Sequence, residues 1–259
     1  MNATEQQRQG VVDRLRAAGC VFAEDEAQLL LLEAGDVEQL ERQVARRVGG
    51  EPLEQIVGWA EFGGRRYAVA PGVFVPRRRT ELLARAAVEG CRPGSVLVDL
   101  CCGVGAVAGY VVDRVPDLEA YGTELDPVAA DCARRNLGPR VKINCGDLYR
   151  PLPAELRGHV DVIAANAPYV PTSEIIFMPT EARDHEAPAT LDGGEDGLEL
   201  HRRIIDQAPL WLAAGGRLLI ETGREQAQVD LDLLRAAGFT ATMITDDEID
   251  GTVVIGETP

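Results

Sequence analysis

The chain of 259 residues is short of cations. Its 26 Lys and Arg face 42 Asp and Glu, for a formal charge of −16, and Lys142 is the single lysine. Nucleic-acid affinity draws on cationic side chains that displace condensed counterions, so this balance argues against a nucleic-acid partner. The one cluster of bases is Arg77-Arg78-Arg79. Aromatic residues make up 5% and do not interleave with basic ones, which removes the usual platform for stacked bases. No apolar run reaches bilayer-spanning length, since Leu29-Leu30-Leu31-Leu32 is closed off by Gln28 and Glu33. The polar start, Met1 to Gln7, lacks the basic stretch and apolar segment of a secretory leader, so a cytoplasmic protein without membrane attachment is expected. The six cysteines (20, 91, 101, 102, 132, 145) form no Cys-x-x-Cys pair and have no histidine at zinc spacing. Neither a metal site nor a disulfide framework is expected, and the cysteines read as small core residues.

What is present suits a folded enzyme or binding protein. Hydrophobic residues at 46% and charged residues at 26% give a chain of this length one full domain and a smaller companion. Residues 5–49 read as short amphipathic helices, with Val11, Val12 and Leu15 on one face and Ala27, Leu30, Leu31 and Ala34 on another, punctuated by Gly19, Gly35 and Gly49-Gly50. Two short extended runs, 56–59 and 67–70, flank Gly63-Gly64 in the pattern of a hairpin linker.

After Pro76 apolar strands alternate with helices: strands at 96–100, 119–124, 141–145, 160–165 and 217–221, and helices at 106–114, 127–137 and 198–212. That beat predicts an α/β fold, a mostly parallel sheet with helices on both faces. Runs at 238–244 and 251–256, joined by an acidic loop, predict a closing hairpin that brings one antiparallel strand into the sheet.

In open α/β sheets ligands gather beyond the carboxyl ends of the strands. Beyond the first four ends stand Asp99 with Gly103-Val104-Gly105, then Glu124 with Leu125 and Asp126, then Asp147-Leu148, then Asn166-Ala167-Pro168-Tyr169. Gly103-x-Gly105-x-x-Ala108 either lets backbone approach a nucleotide-like ligand or is a tight strand-to-helix turn. Asp99 at the strand end repels a pyrophosphate and attracts an ammonium group, while Glu124 is placed to accept ribose hydroxyls. S-adenosylmethionine carries both groups and fits better than a nicotinamide dinucleotide. Asp147 then suits the exocyclic amine of adenine and Leu148 its ring face.

An Asn166 side chain and a following backbone carbonyl accept the two hydrogens of a planar NH2 group and aim its lone pair at a methyl donor. Pro168 stiffens that loop and Tyr169 packs on a flat acceptor. Taken singly, each acid reads as a helix cap or solvated loop residue and the tetrapeptide as a turn. Collected at successive strand ends, they read as one site.

Several blocks carry a family resemblance: Gly50-Glu51-Pro52-Leu53-Glu54-Gln55-Ile56-Val57-Gly58, Phe62-Gly63, Val75-Pro76-Arg77-Arg78-Arg79-Thr80-Glu81-Leu82-Leu83, Asp99-Leu100-Cys101-Cys102-Gly103-Val104-Gly105, Asn166-Ala167-Pro168-Tyr169-Val170-Pro171, Leu191-Asp192-Gly193-Gly194 and Asp196-Gly197-Leu198. From about Arg46 onward the chain resembles the HemK/PrmC-type protein-(glutamine N(5)) methyltransferases, which methylate the Gly-Gly-Gln loop of peptide-chain release factors. The resemblance implies a Rossmann-like class I S-adenosylmethionine-dependent methyltransferase fold with a seven-stranded sheet and a terminal antiparallel strand. It also implies a helical substrate-recognition domain at 1–55, a hairpin linker at 56–75 and the methyltransferase domain at 76–259.

Carried over by position, Asp99, Cys101, Gly103, Gly105, Glu124, Leu125, Asp147, Leu148 and Asn166 hold S-adenosylmethionine, released as S-adenosylhomocysteine, and Arg77 and Glu81 border its pocket. Asn166, Ala167, Pro168 and Tyr169 form the catalytic loop, the partner is a release factor, and the protein acts as a monomer. Ala167 replaces the first proline of the usual Asn-Pro-Pro-Tyr, and Arg78 stands where the family often has proline. Methylation of a small-metabolite amine or of an exocyclic adenine amine is the alternative activity, and a cofactor-binding module without turnover the alternative class. His185, between Asp184 and Glu186, reads as a surface residue, Arg77 and Glu81 also match a surface i,i+4 pair, and Trp59 and Trp211 read as core or hairpin anchors.

Overall fold

Neighbouring apolar residues in the central strands are shared out between two layers. Leu97, Val162, Leu219 and Val253 pack on one side of a seven-stranded sheet, and Val98, Ile163, Leu218 and Val254 on the other. Side chains alternate along a strand, so a strand covered on both faces needs an unbroken apolar run. The structure, a computed structural model, describes residues 3–259; Met1 and Asn2, the first residues of the polar start, lie outside the described residues.

Four helices come first: α1 (Ala3–Ala17), α2 (Ala23–Glu33), α3 (Val37–Val48) and α4 (Leu53–Val57). Val11, Val12, Leu15, Ala27, Leu30, Leu40 and Val44 bury a cluster of their own with Ile56. Asp36 caps α3, its carboxylate accepting the Gln39 N–H at 2.7 Å. Ile56 and Val57 belong to α4, not to an extended run, because Gly58 at φ 85° ends that helix in a left-handed cap. The hairpin therefore begins at β1 (Trp59–Phe62) and returns as β2 (Arg65–Ala68).

The remaining elements are α5 (Glu81–Gly90), β3 (Val96–Leu100), α6 (Ala106–Val112), β4 (Glu119–Glu124), α7 (Pro127–Leu137), β5 (Val141–Cys145), β6 (Val160–Ala165), α8 (Thr180–His185), α9 (Glu199–Gln207), β7 (Leu212–Glu221), α10 (Ala227–Ala236), β8 (Thr240–Asp246) and β9 (Gly251–Glu257). The expected helix over 198–212 is shorter: α9 stops at Gln207, Pro209 sits in a 3-10 turn, and β7 already begins at Leu212. The sheet order is β5-β4-β3-β6-β7-β9-β8. Strands β3 to β7 run parallel, and β9 lies antiparallel to both of its neighbours, as the closing hairpin required.

Residues of α5, α6 and α7, with Phe62 and Tyr67 of the hairpin, cover one face; residues of α9 and α10, with Tyr149 and Trp211, cover the other. Tyr149 and Trp211 stack at 5.6 Å, whereas Trp59 stays half-buried beneath the Arg66 guanidinium. Cys102 and Cys132 are buried and Cys20, Cys91 and Cys101 pack partly buried against the cores, as expected of small core residues; Cys145 departs from this, exposed because it ends the edge strand β5. Among the described residues no helix is long and apolar enough to cross a membrane.

Around β3 the strand order reverses, with β4 on one side and β6 on the other, and this opens a crevice at their carboxyl ends. The long segment between β6 and α9 borders it, with Met178, Ala189, Thr190 and Leu191 lining the cavity. Short parallel bridges, Gly72 with Glu186 and Val170 with Asp192, hold that segment in place.

Candidate active site

The chain leaves β3 through a tight turn in which Cys101, Gly103 and Gly105 have φ of 54°, 53° and 82°. A Cβ on Gly105 would lie 2.5 Å from Leu137 Cδ1, so glycine is required for α6 to pack on α7. At Gly103 a Cβ would meet nothing within 4 Å; this residue faces open space and lines the cavity. Gly105 thus serves the turn, and Gly103 leaves its backbone open to the cavity.

Glu124 closes β4. Its carboxylate accepts the Gly103 N–H at 2.8 Å through one oxygen and the Asp126 N–H at 2.9 Å through the other. Burial pushes its pKa up, against the pull of those two bonds. A carboxylate offers about four lone-pair directions, so two remain for a pair of vicinal hydroxyls. Leu125, Ala129, Gly146 and Leu148 line the cavity beside it, and Leu148, at φ 45°, is also part of the core below. Asp147 lines the cavity too, paired at 2.6 Å with Arg203 of α9. A diol acceptor, an apolar slot and a carboxylate at its rim fit an adenosine group.

Asp99, Gly105 and Glu81 do not line the cavity. Asp99 lies under the turn, 1% exposed, and accepts the Ala108 N–H at 2.9 Å, capping the start of α6. Desolvation raises its pKa to about 7, with the nearby Glu124 charge adding to the rise. Glu81 points to the hairpin, accepting the Gly63 N–H at 3.4 Å. It makes no surface pair with Arg77, which instead reaches Glu186 at 2.5 Å. Arg77, Cys101 and Arg79 do border the cavity.

At the end of β6, Asn166, Ala167, Pro168 and Tyr169 all line the same cavity as Glu124 and Gly103. Asn166 Nδ2 donates to Thr80 Oγ1 at 3.1 Å, which leaves Oδ1 as the acceptor end of the carboxamide. The Tyr169 hydroxyl donates to Glu221 at 3.5 Å, and its carbonyl accepts from Gln226 Nε2 at 2.9 Å. Burial holds the Tyr169 phenol up near 12. Arg79 pairs with Glu221 at 3.3 Å and lies 5.8 Å from the Tyr169 ring. Behind Tyr169 a buried polar cluster joins the His201 ring to Asp230 at 3.0 Å, and Thr222 donates to Asp230 at 2.6 Å.

The sequence pattern gives no individual role to Glu221, Glu186 or the His201–Asp230 pair, and Arg79, Thr80 and Gly197 appear there only within resembling blocks or the arginine cluster. A signal existed for Glu221, which ends the fifth parallel strand; the strand-end rule stopped at the fourth. Gly197 stands in the resembling block Asp196-Gly197-Leu198. A Cβ there would lie 2.3 Å from the Tyr169 carbonyl oxygen, so the absence of a side chain is what lets the loop after β6 lie where it does.

The glycine turn, the carboxylate after β4 and the amide loop after β6, on this strand order, define a class I methyltransferase. The methyltransferase domain family matches residues 97–186. A methyltransferase from Pyrococcus furiosus shares the fold at a TM-score of 0.58 and 17% identity, over 84% of this chain and 98% of that one. The release factor glutamine methyltransferase of Geobacter sulfurreducens is 35% identical over 207 residues, 79% of this chain and 72% of the relative. A 4-amino-L-phenylalanine/4-methylamino-L-phenylalanine methyltransferase of Streptomyces pristinaespiralis is 40% identical over 203 residues, 75% and 69% of the two chains. The chain belongs to the release factor glutamine methyltransferase family.

Proposed function

We propose that the protein transfers the methyl group of S-adenosylmethionine to the side-chain amide nitrogen of a glutamine, that of the Gly-Gly-Gln loop of a peptide-chain release factor. The observation that carries this is the Asn166 carboxamide, tied by its nitrogen to Thr80 and lining one cavity with Glu124. When bound, the cofactor supplies an electrophilic methyl group. Glu124 accepts its ribose hydroxyls, Leu125 and Leu148 flank the adenine with Asp147 at the rim, and the open backbone at Gly103 admits the rest.

An amide nitrogen is a poor nucleophile because its lone pair is delocalised. Asn166 Oδ1 and the Ala167 carbonyl accept the two N–H bonds of the acceptor, fixing its plane. As the methyl–nitrogen bond forms and the methyl–sulfur bond breaks, leaving a neutral thioether, positive charge grows on nitrogen, so both hydrogen bonds strengthen in the transition state and lower the barrier. The nitrogen then loses one proton to solvent, leaving the N-methyl amide. Tyr169 gives the acceptor a flat wall.

The division into a recognition unit at 1–55, a linker at 56–75 and a catalytic unit at 76–259 belongs to the same proposal, with α4 straddling the first boundary. An enzyme that meets release factors works in the cytoplasm, and one chain supplies every residue used here, so a monomer suffices. Incubating the protein with cofactor and a release factor should add one methyl to that glutamine, read by peptide mass spectrometry; an unmodified factor under conditions where cofactor binds would refute the assignment.

One observation favours a second acceptor. Arg77 and Arg79 line the cavity with Phe74 and Tyr169, a set that suits the carboxylate and ring of an aromatic amino acid whose aryl amine reaches Asn166. The Streptomyces pristinaespiralis relative is named for such a substrate. Methylation of 4-amino-L-phenylalanine, with the release factor unmodified, would establish this reading in place of the first.

A further inference from the structure

We propose that Gln55 is a positioning residue, through which the N-terminal helices hold together the wall of the cavity that meets the methyl acceptor; this rests on the methyl transfer proposed above. The wall comes from two segments far apart in sequence. Phe74 and Arg77 belong to the chain just past the hairpin, and Met178, Ala189 and Thr190 to the long connection between β6 and α9. With Glu124, Leu125 and Leu148 given to the cofactor, this wall is left to the acceptor.

Gln55, 4% exposed, is bonded to both segments. Its Nε2 donates to the Val73 carbonyl at 3.1 Å and to the His185 carbonyl at 3.2 Å, and its Oε1 accepts the Gly72 N–H at 3.2 Å. A primary amide has two hydrogens, and here one is spent on each segment. Gly72 and Val73 lead directly into Phe74, and His185 closes α8 shortly before Ala189. The seam continues beyond the amide. The Ala187 N–H donates to the Gly72 carbonyl at 3.1 Å, and Glu186 Oε1 accepts from the Val75 N–H at 3.2 Å and from Arg77 at 2.5 Å.

The tie reaches back into the N-terminal helices. Gln55 lies in α4, and the next residue, Ile56, is buried in the cluster built by α1, α2 and α3. Arg47 of α3 adds a second link to the same connection through Glu181 of α8 at 2.7 Å. Gln55 itself does not line the cavity, so it acts through the segments it joins. Hydrogen bonds have a short range, and three of them from one side chain fix the spacing of the two segments and with it the space the acceptor enters.

The test uses the full chain and Gln55→Glu, which keeps the shape and the oxygen facing the Gly72 N–H but, ionised, has no hydrogen for either carbonyl. Hydrogen–deuterium exchange read by mass spectrometry should quicken in peptides covering 72–77 and 178–191 and stay unchanged at 99–108, the turn on the cofactor side. Calorimetry should show S-adenosylhomocysteine affinity unchanged. Kinetics on the release factor should show kcat/KM lowered roughly 10- to 100-fold with a raised KM, the scale of a misplaced substrate. A variant that was merely less folded would lose kcat and keep its KM. Unchanged exchange in both peptides, an unchanged KM, or a cofactor affinity that falls in step with kcat/KM would overturn the proposal. If Gln55→Glu does not fold, the uncharged Gln55→Met takes its place, with the same expected and contrary results. A wild-type protein that leaves the release factor unmethylated would refute the function proposed above, and the exchange measurement would still decide whether Gln55 holds the two segments together.

Discussion

The Glu124 carboxylate accepts the Gly103 N–H at 2.8 Å, joining the carboxyl end of β4 to the turn that leaves β3. One side chain thereby shapes the backbone that faces the cavity and keeps acceptor capacity toward that cavity. Glu124→Gln replaces a charged acceptor with an amide whose NH2 opposes one of these donors. Charge-assisted hydrogen bonds contribute about 1.5–3 kcal/mol, so S-adenosylhomocysteine should bind at least about tenfold more weakly by calorimetry. Because the Glu124 pKa is raised, affinity should also weaken as pH falls through its ionisation, and this pH dependence should vanish in the variant. Equal affinities for the two proteins would remove Glu124 from the site.

Gly197 and Tyr169 touch through backbone. At φ 80°, with a Cβ 2.3 Å from the Tyr169 oxygen and 2.4 Å from Gln226 Nε2, Gly197→Ala must displace the loop that carries Asn166. The expected result is a kcat lowered by roughly one to two orders of magnitude with cofactor affinity retained. A crystal structure of the variant with Tyr169 unmoved would contradict it.

Asp99 makes stability depend on pH in an unusual direction. Its folded pKa of about 7 lies above the ordinary 3.8, so between those values the folded state holds a proton that the unfolded chain has lost. Stability from this group is therefore greatest below about pH 4 and declines as pH rises to about 7, where the buried carboxyl ionises at a cost. Asp99→Asn can still accept the Ala108 N–H and cannot ionise. Urea unfolding across pH 4 to 8 should show a shallower decline in the variant than in the wild type; parallel curves would mean that Asp99 does not titrate in this range.

Arg47, 6% exposed, pairs with Glu26 of α2 at 2.6 Å and with Glu181 of α8 at 2.7 Å, linking the N-terminal helices to the segment beside the cavity. Removing one partner of a buried pair costs about 3–5 kcal/mol because the other charge is left uncompensated. Arg47→Met should lower stability by that order, and adding Glu26→Leu should recover much of it. A double-mutant cycle by denaturant unfolding reads the coupling; additive effects would show that the pair is not coupled.

The parts of this protein legible in sequence are those set by local pattern. Unbroken apolar runs marked strands buried on both faces, Gly63-Gly64 marked the hairpin turn, and Glu124, Asp147 and Asn166 followed from their places at strand ends. Gly58 shows the limit: Ile56 and Val57 are β-branched and look extended, but the helix from Leu53 runs through them because the left-handed glycine beyond stops it one residue later.

Which carboxylate meets which partner was settled only by the tertiary structure. Arg77 and Glu81 stand four apart, yet one turns to Glu186, 109 residues away, and the other to the hairpin. Asp99 and Glu124 are both acids at strand ends, yet the first is buried against α6 and the second lines the cavity. Thr80 and Asn166 lie 86 residues apart and meet because α5, which begins just after Thr80, packs across β6. Sequence periodicity carries one-dimensional information, the face and length of each element, and so determined the fold and the residues at the strand ends. A hydrogen bond has direction and a range of about 3 Å, and only the packed chain fixes side chains to that precision.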